Sequence, residues 1–305
     1  MRAVAATALG GPEVLQVVDS PDPVAGPGQA VVRIRAACVQ PADIGARVGR
    51  IPGGPVPPPF LPGWDFAGDV LSVGDGVTEV FPGDRVVGMV PWFHTRGTPG
   101  AYAEMIAAGT DWLVPLPEGL DYAHAATIGL NALTAVQALD MLRLPGPGTV
   151  LVTGASGGVG GFAVQLAARQ GHRVVAVAAG EDDEEWVRGL GATEVLPRSA
   201  DLAAAGPVPA VFDAVPVGEP AAAAASDGGT VIVTRPTPPV DPARRVRQEV
   251  VLISADQAGL RALVADVASG ALRTRVAVTM PLAEAAAAHR LVEKGGLRGK
   301  VVLLA

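Results

Sequence analysis

The chain has 305 residues, 49% hydrophobic and 17% charged, enough for about two domains with buried cores. A formal net charge of −7 and the lack of any Lys/Arg-rich run argue against a nucleic-acid partner, which leaves a basic footprint. No uninterrupted apolar run approaches the roughly 20 residues of a membrane span, and the single cysteine, Cys38, allows no intrachain disulfide.

The opening MRAVAATALGGPEVL does not read as a signal peptide, because Gly10, Gly11 and Pro12 break its short apolar stretch. With one cysteine, a cytoplasmic location is the expectation. The first 120 residues read as short strands between Gly/Pro turns. VLQVVDSPDP and QAVVRIRAACV are β-branched runs bounded by breakers. FAGDVLSVGDGVTEV sets an Asp-Gly turn between two apolar runs, a hairpin signal. GDRVVGMV and AYAEMIAA continue the pattern, so residues 1–120 are expected to form an all-β domain.

From Asp121 the texture changes. AHAATIGLNALTAVQALDML carries helical apolar spacing. Strands (TVLVTG, RVVAVA, TEVL, AVFDAV, TVIVTR, VVLIS) then alternate with helices (GGFAVQLAARQG, DDEEWVRGLG, EPAAAAAS, QAGLRALVADVASG). That alternation implies an α/β domain with a doubly wound parallel sheet over 121–256. The tail PLAEAAAAHRLVEKGGLRGKVVLLA adds one more helix and a closing strand.

The stretch LVTGASGGVGGF, residues 151–162, joins a strand to a helix through glycines. Gly154, Gly157 and Gly160 have the GxxGxxG spacing that makes a turn, admits a pyrophosphate and packs helix against strand. The helix's first amides are unpaired and its dipole favours an anion. The same letters fit TGxxxGxG through Thr153, Gly154, Gly158 and Gly160, the pattern of short-chain dehydrogenases. The Tyr-x-x-x-Lys pair of that family is missing, since Ile106 and Ala126 follow Tyr102 and Tyr122 by four residues. That assignment is rejected.

Several ordered stretches resemble a different family: AACVQPADIGARVG, PGWDFAGDVLSVGDGV, GDRVVGM, GAYAEMI, LTAVQAL, LVTGASGGVGGFAVQLA and AEAAAAHRLVEKGGLRGKVVL. Together they resemble the medium-chain dehydrogenase/reductase superfamily, in its zinc-independent, quinone oxidoreductase-like group. The resemblance implies a GroES-like β-rich catalytic domain from 1–120 and 257–305, and a Rossmann cofactor domain over 121–256. It also implies an NADPH-dependent reductase of small molecules, acting on a quinone or an activated C=C, and a homodimer. Apolar TVIVTR and VVLIS are candidates for the edge strand of that dimer. The alternative is a cofactor-binding protein with little turnover, serving as a sensor or accessory subunit.

Zinc enzymes of this superfamily use a Cys, a Gly-His-Glu segment and a later Cys or Asp. Here the corresponding residues are Gln40 and Gly63-Trp64-Asp65, and no structural zinc lobe is present, so no metal is expected. His94, His124, His172 and His289 read as ordinary surface or helix residues. Where related reductases resemble NPxDxYxRxG, this chain has QPADIGARVG. Gln40 keeps an amide donor and is the catalytic candidate, against a role that merely shapes the cleft. Gly45 stands at the Tyr position. Trp64, Trp92 and Phe93 are candidates for an apolar substrate wall; Trp92 and Phe93 read equally well as core.

At the end of the second Rossmann strand, where a carboxylate would select NADH, stands Ala178, which favours NADPH. By resemblance, Arg198 meets the adenosine phosphate. Ser156, Gly157, Gly158 and Val159 meet the pyrophosphate, and Gly180 approaches the adenosine. Thr134 contacts the nicotinamide end, Thr234 and Arg235 line the groove, and Lys300 lies near the cofactor or else is a solvated strand-end lysine. The acidic run at 181–185 complements a helix dipole; Glu181 or Asp182 turned inward would disfavour NADPH.

Overall fold

A computed structural model describes residues 1–305, the side chain of Glu181 excepted. The chain divides into two compact units. One comprises Met1–Leu130, Ser254–Ala271 and Arg275–Ala305; the other comprises Asn131–Ile253 and Leu272–Thr274.

The first unit opens with β1 (Arg2–Ala6), β2 (Leu15–Asp19), β3 (Gln29–Cys38), β4 (Asp65–Val73), β5 (Arg85–Met89), β6 (Met105–Gly109) and β7 (Leu113–Pro115). Strand β3 shows why these residues pair as they do: Arg33 and Arg35 face water while the alternating Ile34 and Ala36 are buried, the period-2 pattern of a half-covered sheet. At Ala37 and Cys38 both faces are buried as the strand runs into the site. The helices in this stretch are short: α1 (Pro41–Arg47), α2 (Trp92–Thr95) and α3 (Tyr122–Ala125); the longer α4 (Gly129–Leu142) begins here and continues into the second unit from Asn131. The stretch Tyr122–Leu142 is long and apolar enough to cross a membrane by composition, yet 78% of its apolar window is buried inside the protein, as in a core helix.

The second unit carries β8 (Thr149–Val152), α5 (Gly158–Arg169), β9 (Arg173–Val177), α6 (Glu184–Gly189), β10 (Glu194–Leu196), β11 (Val208–Asp213), α7 (Glu219–Ala223), β12 (Ala225–Val233) and β13 (Arg247–Val250). These strands form one parallel sheet in the order β10-β9-β8-β11-β12-β13. The order in which strands are added reverses between the parallel β8 and β11, the switch point of a doubly wound fold. Leu151, Val175, Val211, Val231 and Val233 pack one core layer against the small residues Ala221 and Ala224.

The first unit is completed by α8 (Gln257–Ala268), β14 (Val276–Pro281), α9 (Ala285–Lys294) and β15 (Lys300–Leu304). Its main sheet runs β14-β15-β3-β4-β5-β7, with β6 also on β3; β1 and β2 form a separate antiparallel ribbon.

Three expectations about elements need correction. The hairpin at the Asp-Gly turn does not form as read: β4 pairs with β5, and residues 74–84 between them hold no strand. The last Rossmann strand is Arg247–Val250 rather than VVLIS, because its in-register pairing with β12 uses Thr230↔Arg247 through Val233↔Val250. TVIVTR is not an edge, since β12 is paired on both sides. Strand β14 was not anticipated.

Candidate active site

In the first unit, β3 ends at Cys38 and the chain turns through Val39 and Gln40 into α1. Pro41 suits the first helical position, where its missing N–H costs nothing, and the Gln40 N–H is capped by Asp43 Oδ2 at 2.8 Å. Val39 N–H donates to Val301 O at 2.9 Å, which sets the start of β15 beside Gln40. Lys300 Nζ then donates to Gln40 Oε1 at 2.7 Å. Gln40 Nε2 donates to Asp65 Oδ2 at 2.7 Å and to Cys38 Sγ at 3.4 Å. Asp65 Oδ1 accepts from the Leu130 N–H, 2.7 Å away in the first turn of α4. Gly129 is required there: a Cβ would lie 2.5 Å from Asp65 Oδ1.

All of these side chains are buried; Gln40 is 0% and Lys300 8% exposed. Burial lifts the Asp65 carboxyl to about 7, against the opposing pull of the Leu130 N–H, the Gln40 amide and the Lys300 charge. Burial likewise lifts Asp43 to about 6, although it accepts from the Gln40 and Gly63 N–H groups and from Tyr102.

A second polar chain leads away from Asp43. Tyr102 Oη lies 3.3 Å from Asp43 Oδ2 and 3.1 Å from His289 Nε2. His289 Nδ1 faces Arg47 Nη1 at 3.4 Å, and Arg47 also pairs with Glu293. A guanidinium only donates, so Nδ1 accepts, Nε2–H donates to Tyr102, and Tyr102 donates to Asp43. Burial and the Arg47 charge hold His289 down at about 3, hence neutral. His289 is thus a fully buried network member, not a surface histidine.

Trp64 stacks on Trp92 with centroids 6.0 Å apart and meets the edge of Phe93 at 4.7 Å. Trp92 is core: it is wholly buried and its Nε1–H donates to Leu61 O at 3.1 Å. Phe93 is half-buried. Trp64 is buried with its Nε1–H unpartnered. Arg96 pins the Pro/Gly loop below this cluster, donating to Pro52 O at 3.2 Å and Gly54 O at 2.8 Å.

In the second unit the parallel strands share one carboxyl edge, and the expected cofactor residues of that unit gather along it, Thr134 on α4 aside. Gly154, Ser156, Gly157, Gly158, Val159 and Gly160 connect β8 to α5; Ala178 and Gly180 follow β9, Arg198 follows β10, and Thr234 and Arg235 follow β12. Gly154 has φ +66°, and a Cβ there would lie 2.3 Å from Val215. A Cβ on Gly160 would lie 2.2 Å from Gly154 O, so only glycine lets α5 pack this close. Gly157 precedes α5 with no side chain capping the first turn, leaving its N–H groups for an anion. Ser156 Oγ accepts from Ala179 N–H at 3.0 Å, tying the loop to the end of β9. Across the switch point, Thr153 Oγ1 donates to Asp213 Oδ1 at 2.6 Å, and burial raises the Asp213 carboxyl. Thr234 Oγ1 donates to Ala214 O at 3.2 Å, and Thr134 is buried on α4. The shape and donors fit a dinucleotide.

Ala178 is buried and offers no carboxylate. Arg198 and Arg235 are exposed, and Arg198 makes no hydrogen bond or ion pair among the described residues. In the acidic run, Glu184 pairs with Arg188 one turn on at 2.8 Å, and Asp182 is exposed. The Glu181 side chain lies outside the described residues.

The donor set does not suit zinc. Gln40 and Asp65 are bonded to each other, and the Trp64 indole nitrogen is a donor without a lone pair to offer. No group of three His, Cys, Asp or Glu is placed to hold a metal among the described residues. Gly45 is no mere truncated tyrosine either: a Cβ there would lie 2.9 Å from Arg50 O.

Residues 26–118 match the alcohol dehydrogenase GroES-like domain, and residues 190–303 match the zinc-binding dehydrogenase model. Acrylyl-CoA reductase of Ruegeria pomeroyi is 42% identical over 46% of the chain, though the match spans only 43% of that enzyme's length. Quinone oxidoreductase of Lama guanicoe is 33% identical over the whole chain and 97% of its own length. The solved structure of mycobacterial Rv1454c complexed with NADPH is 30% identical, covers both chains fully and superposes with a TM-score of 0.85. The chain therefore belongs to the medium-chain dehydrogenase/reductase superfamily, in its quinone oxidoreductase-like group.

Proposed function

We propose that the protein is a zinc-independent, NADPH-dependent oxidoreductase that delivers hydride to a quinone or to an activated C=C such as an α,β-unsaturated carbonyl. The observation that carries this reading is the glycine cradle at the switch point. Gly154 and Gly160 can hold no side chain, and the first turn of α5 is uncapped. When bound, the reduced nicotinamide supplies the hydride.

The chain's own groups bind and orient. The loop residues Ser156 and Gly157 and the first-turn amides of Gly158 and Val159 would meet the pyrophosphate, Ala178 presents no carboxylate to the ribose, and Arg198 would meet the 2′-phosphate. The NADPH held by the mycobacterial structure supports that choice. Phe93, half-buried, offers apolar surface for a planar substrate; Trp64, expected in the same wall, is fully buried and packs against Phe93 from inside. Zinc independence is supported by the donor set at Gln40, Trp64 and Asp65, and the substrate classes by the reductase and quinone oxidoreductase relatives. A homodimer is part of the same reading, with β13, one of the two edge strands of the parallel sheet, as its candidate edge.

One observation favours a second reading, a cofactor binder with little turnover: Gly45 has no room for the tyrosine that related reductases carry. Steady-state oxidation of NADPH against a panel of enones and quinones separates the two. Turnover with any member supports the reductase; tight binding without turnover across the panel overturns it in favour of the binder.

A further inference from the structure

Only two of the chain's 23 basic residues are lysines, Lys294 and Lys300; the rest are arginines. Lys294 is exposed at the end of α9, whereas Lys300 is buried at the start of β15. An arginine-rich chain thus keeps one lysine in its buried polar cluster. An ammonium differs from a guanidinium in being compact and in being able to give up a proton.

The bonding around this ammonium is incomplete. Among the described residues, Lys300 Nζ has one hydrogen-bond partner, Gln40 Oε1 at 2.7 Å. It forms no ion pair with Asp65, because the Gln40 amide stands between the two and bonds to both. Two of its three N–H groups therefore have no partner among the described residues, in a residue only 8% exposed. Such donors in a poorly hydrated place call for an acceptor oxygen. Gln40 cannot serve a substrate in the same way. It is fully buried, and its amide hydrogens already go to Asp65 Oδ2 and Cys38 Sγ.

We infer that Lys300 is the group that receives the substrate's carbonyl oxygen, with Gln40 as the positioning residue that aims it. The inference rests on the reductase reading. As a C–H bond forms at the β-carbon, the C=C pair shifts to the α-carbon–carbonyl bond and the carbonyl pair moves onto oxygen. Lys300 donates a hydrogen bond to that oxygen, and a proton from solvent completes the α-carbon. Charge placed where charge develops is the strongest kind of help a site gives.

The test reads the lysine directly. Biosynthetic ¹³C-lysine labelling gives two side-chain signals, assigned with Lys294→Gln. The intact protein is titrated with 4-nitrophenolate, an oxyanion probe that needs no turnover. The Lys300 signal is expected to move saturably while that of Lys294 stays still; a still Lys300 signal, or equal movement of both, overturns the inference. In parallel, Lys300→Met and Lys300→Arg are compared with wild type for NADPH affinity and for kcat. The expected result is a roughly hundredfold loss of kcat in Lys300→Met with NADPH binding kept, and a partial loss in Lys300→Arg, whose fold the retained charge protects. Equal kcat in wild type and Lys300→Arg, with the probe bound equally, overturns the inference and leaves the reductase reading standing. Failure of the wild type to bind NADPH overturns that reading instead, and the phenolate titration still decides whether Lys300 takes an oxyanion.

Discussion

Gln40 donates Nε2–H to Asp65 Oδ2 across 2.7 Å while its Oε1 accepts from Lys300, so a neutral amide separates a buried carboxyl from a buried ammonium. Gln40→Ala leaves both neighbours without that partner. The expected cost is about 1–3 kcal/mol of stability, the penalty for stranding a buried polar group, with a fall in kcat/KM of about tenfold to a hundredfold as the ammonium loses its aim. Urea denaturation and steady-state kinetics check the two halves separately. Unchanged kcat/KM would remove Gln40 from the site.

Asp65 gives a pH signature. Its folded-state carboxyl lies near 7, above the ordinary 3.8. The folded protein therefore holds more protons than the unfolded chain between these values, and Asp65 makes stability fall as pH rises from about 4 to about 7. His289, held near 3 against an ordinary 6.5, acts in the opposite sense over most of that range. The clean readout is therefore a difference: relative to Asp65→Asn, the wild type should lose stability with rising pH across that window. Parallel pH profiles for the two proteins would show that the carboxyl is not buried as described.

Gly160→Ala should abolish tight cofactor binding. The added methyl falls 2.2 Å from Gly154 O, and the loop must move to admit it. Overpacking of this kind costs about 1–3 kcal/mol, so a lowered but cooperative melting transition is expected with loss of NADPH affinity. A variant that binds NADPH as wild type does would mean the cradle is used differently.

Arg198 is exposed and unengaged among the described residues. Arg198→Ala should weaken NADPH about tenfold or more, the scale of a charge-assisted hydrogen bond, and leave NADH unchanged. Equal loss for both cofactors would place the effect elsewhere.

Much of the scaffold was legible because it is local. The glycines at 154, 157 and 160 and the alternation of strand and helix announce a doubly wound sheet. The reading failed where pairing is nonlocal. VVLIS looks like a strand, yet register with β12 selects Arg247–Val250. TVIVTR looks like an edge, but β11 and β13 flank it. The buried site was half legible. Gln40 and Lys300 stood out separately, but nothing in spacing joins positions 260 residues apart; the pairing of β15 with β3, continued by the Val39–Val301 backbone bond, does. Asp43 stands at the Asp of the NPxDxYxRxG pattern, and Tyr102 and His289 lie in family-like stretches, but no spacing joins the three; burial and their mutual hydrogen bonds give them their character. Trp92 was readable as wall or core, and a donor bond to Leu61 O decides for core.

The second unit is expected to hold NADPH through its glycine cradle. Calorimetric titration of the purified protein with NADPH, and in parallel with NADH, tests it most directly. Tight NADPH binding with much weaker NADH binding is the predicted result. Binding of neither cofactor would contradict the account at its root, and a preference for NADH would contradict the roles given to Ala178 and Arg198.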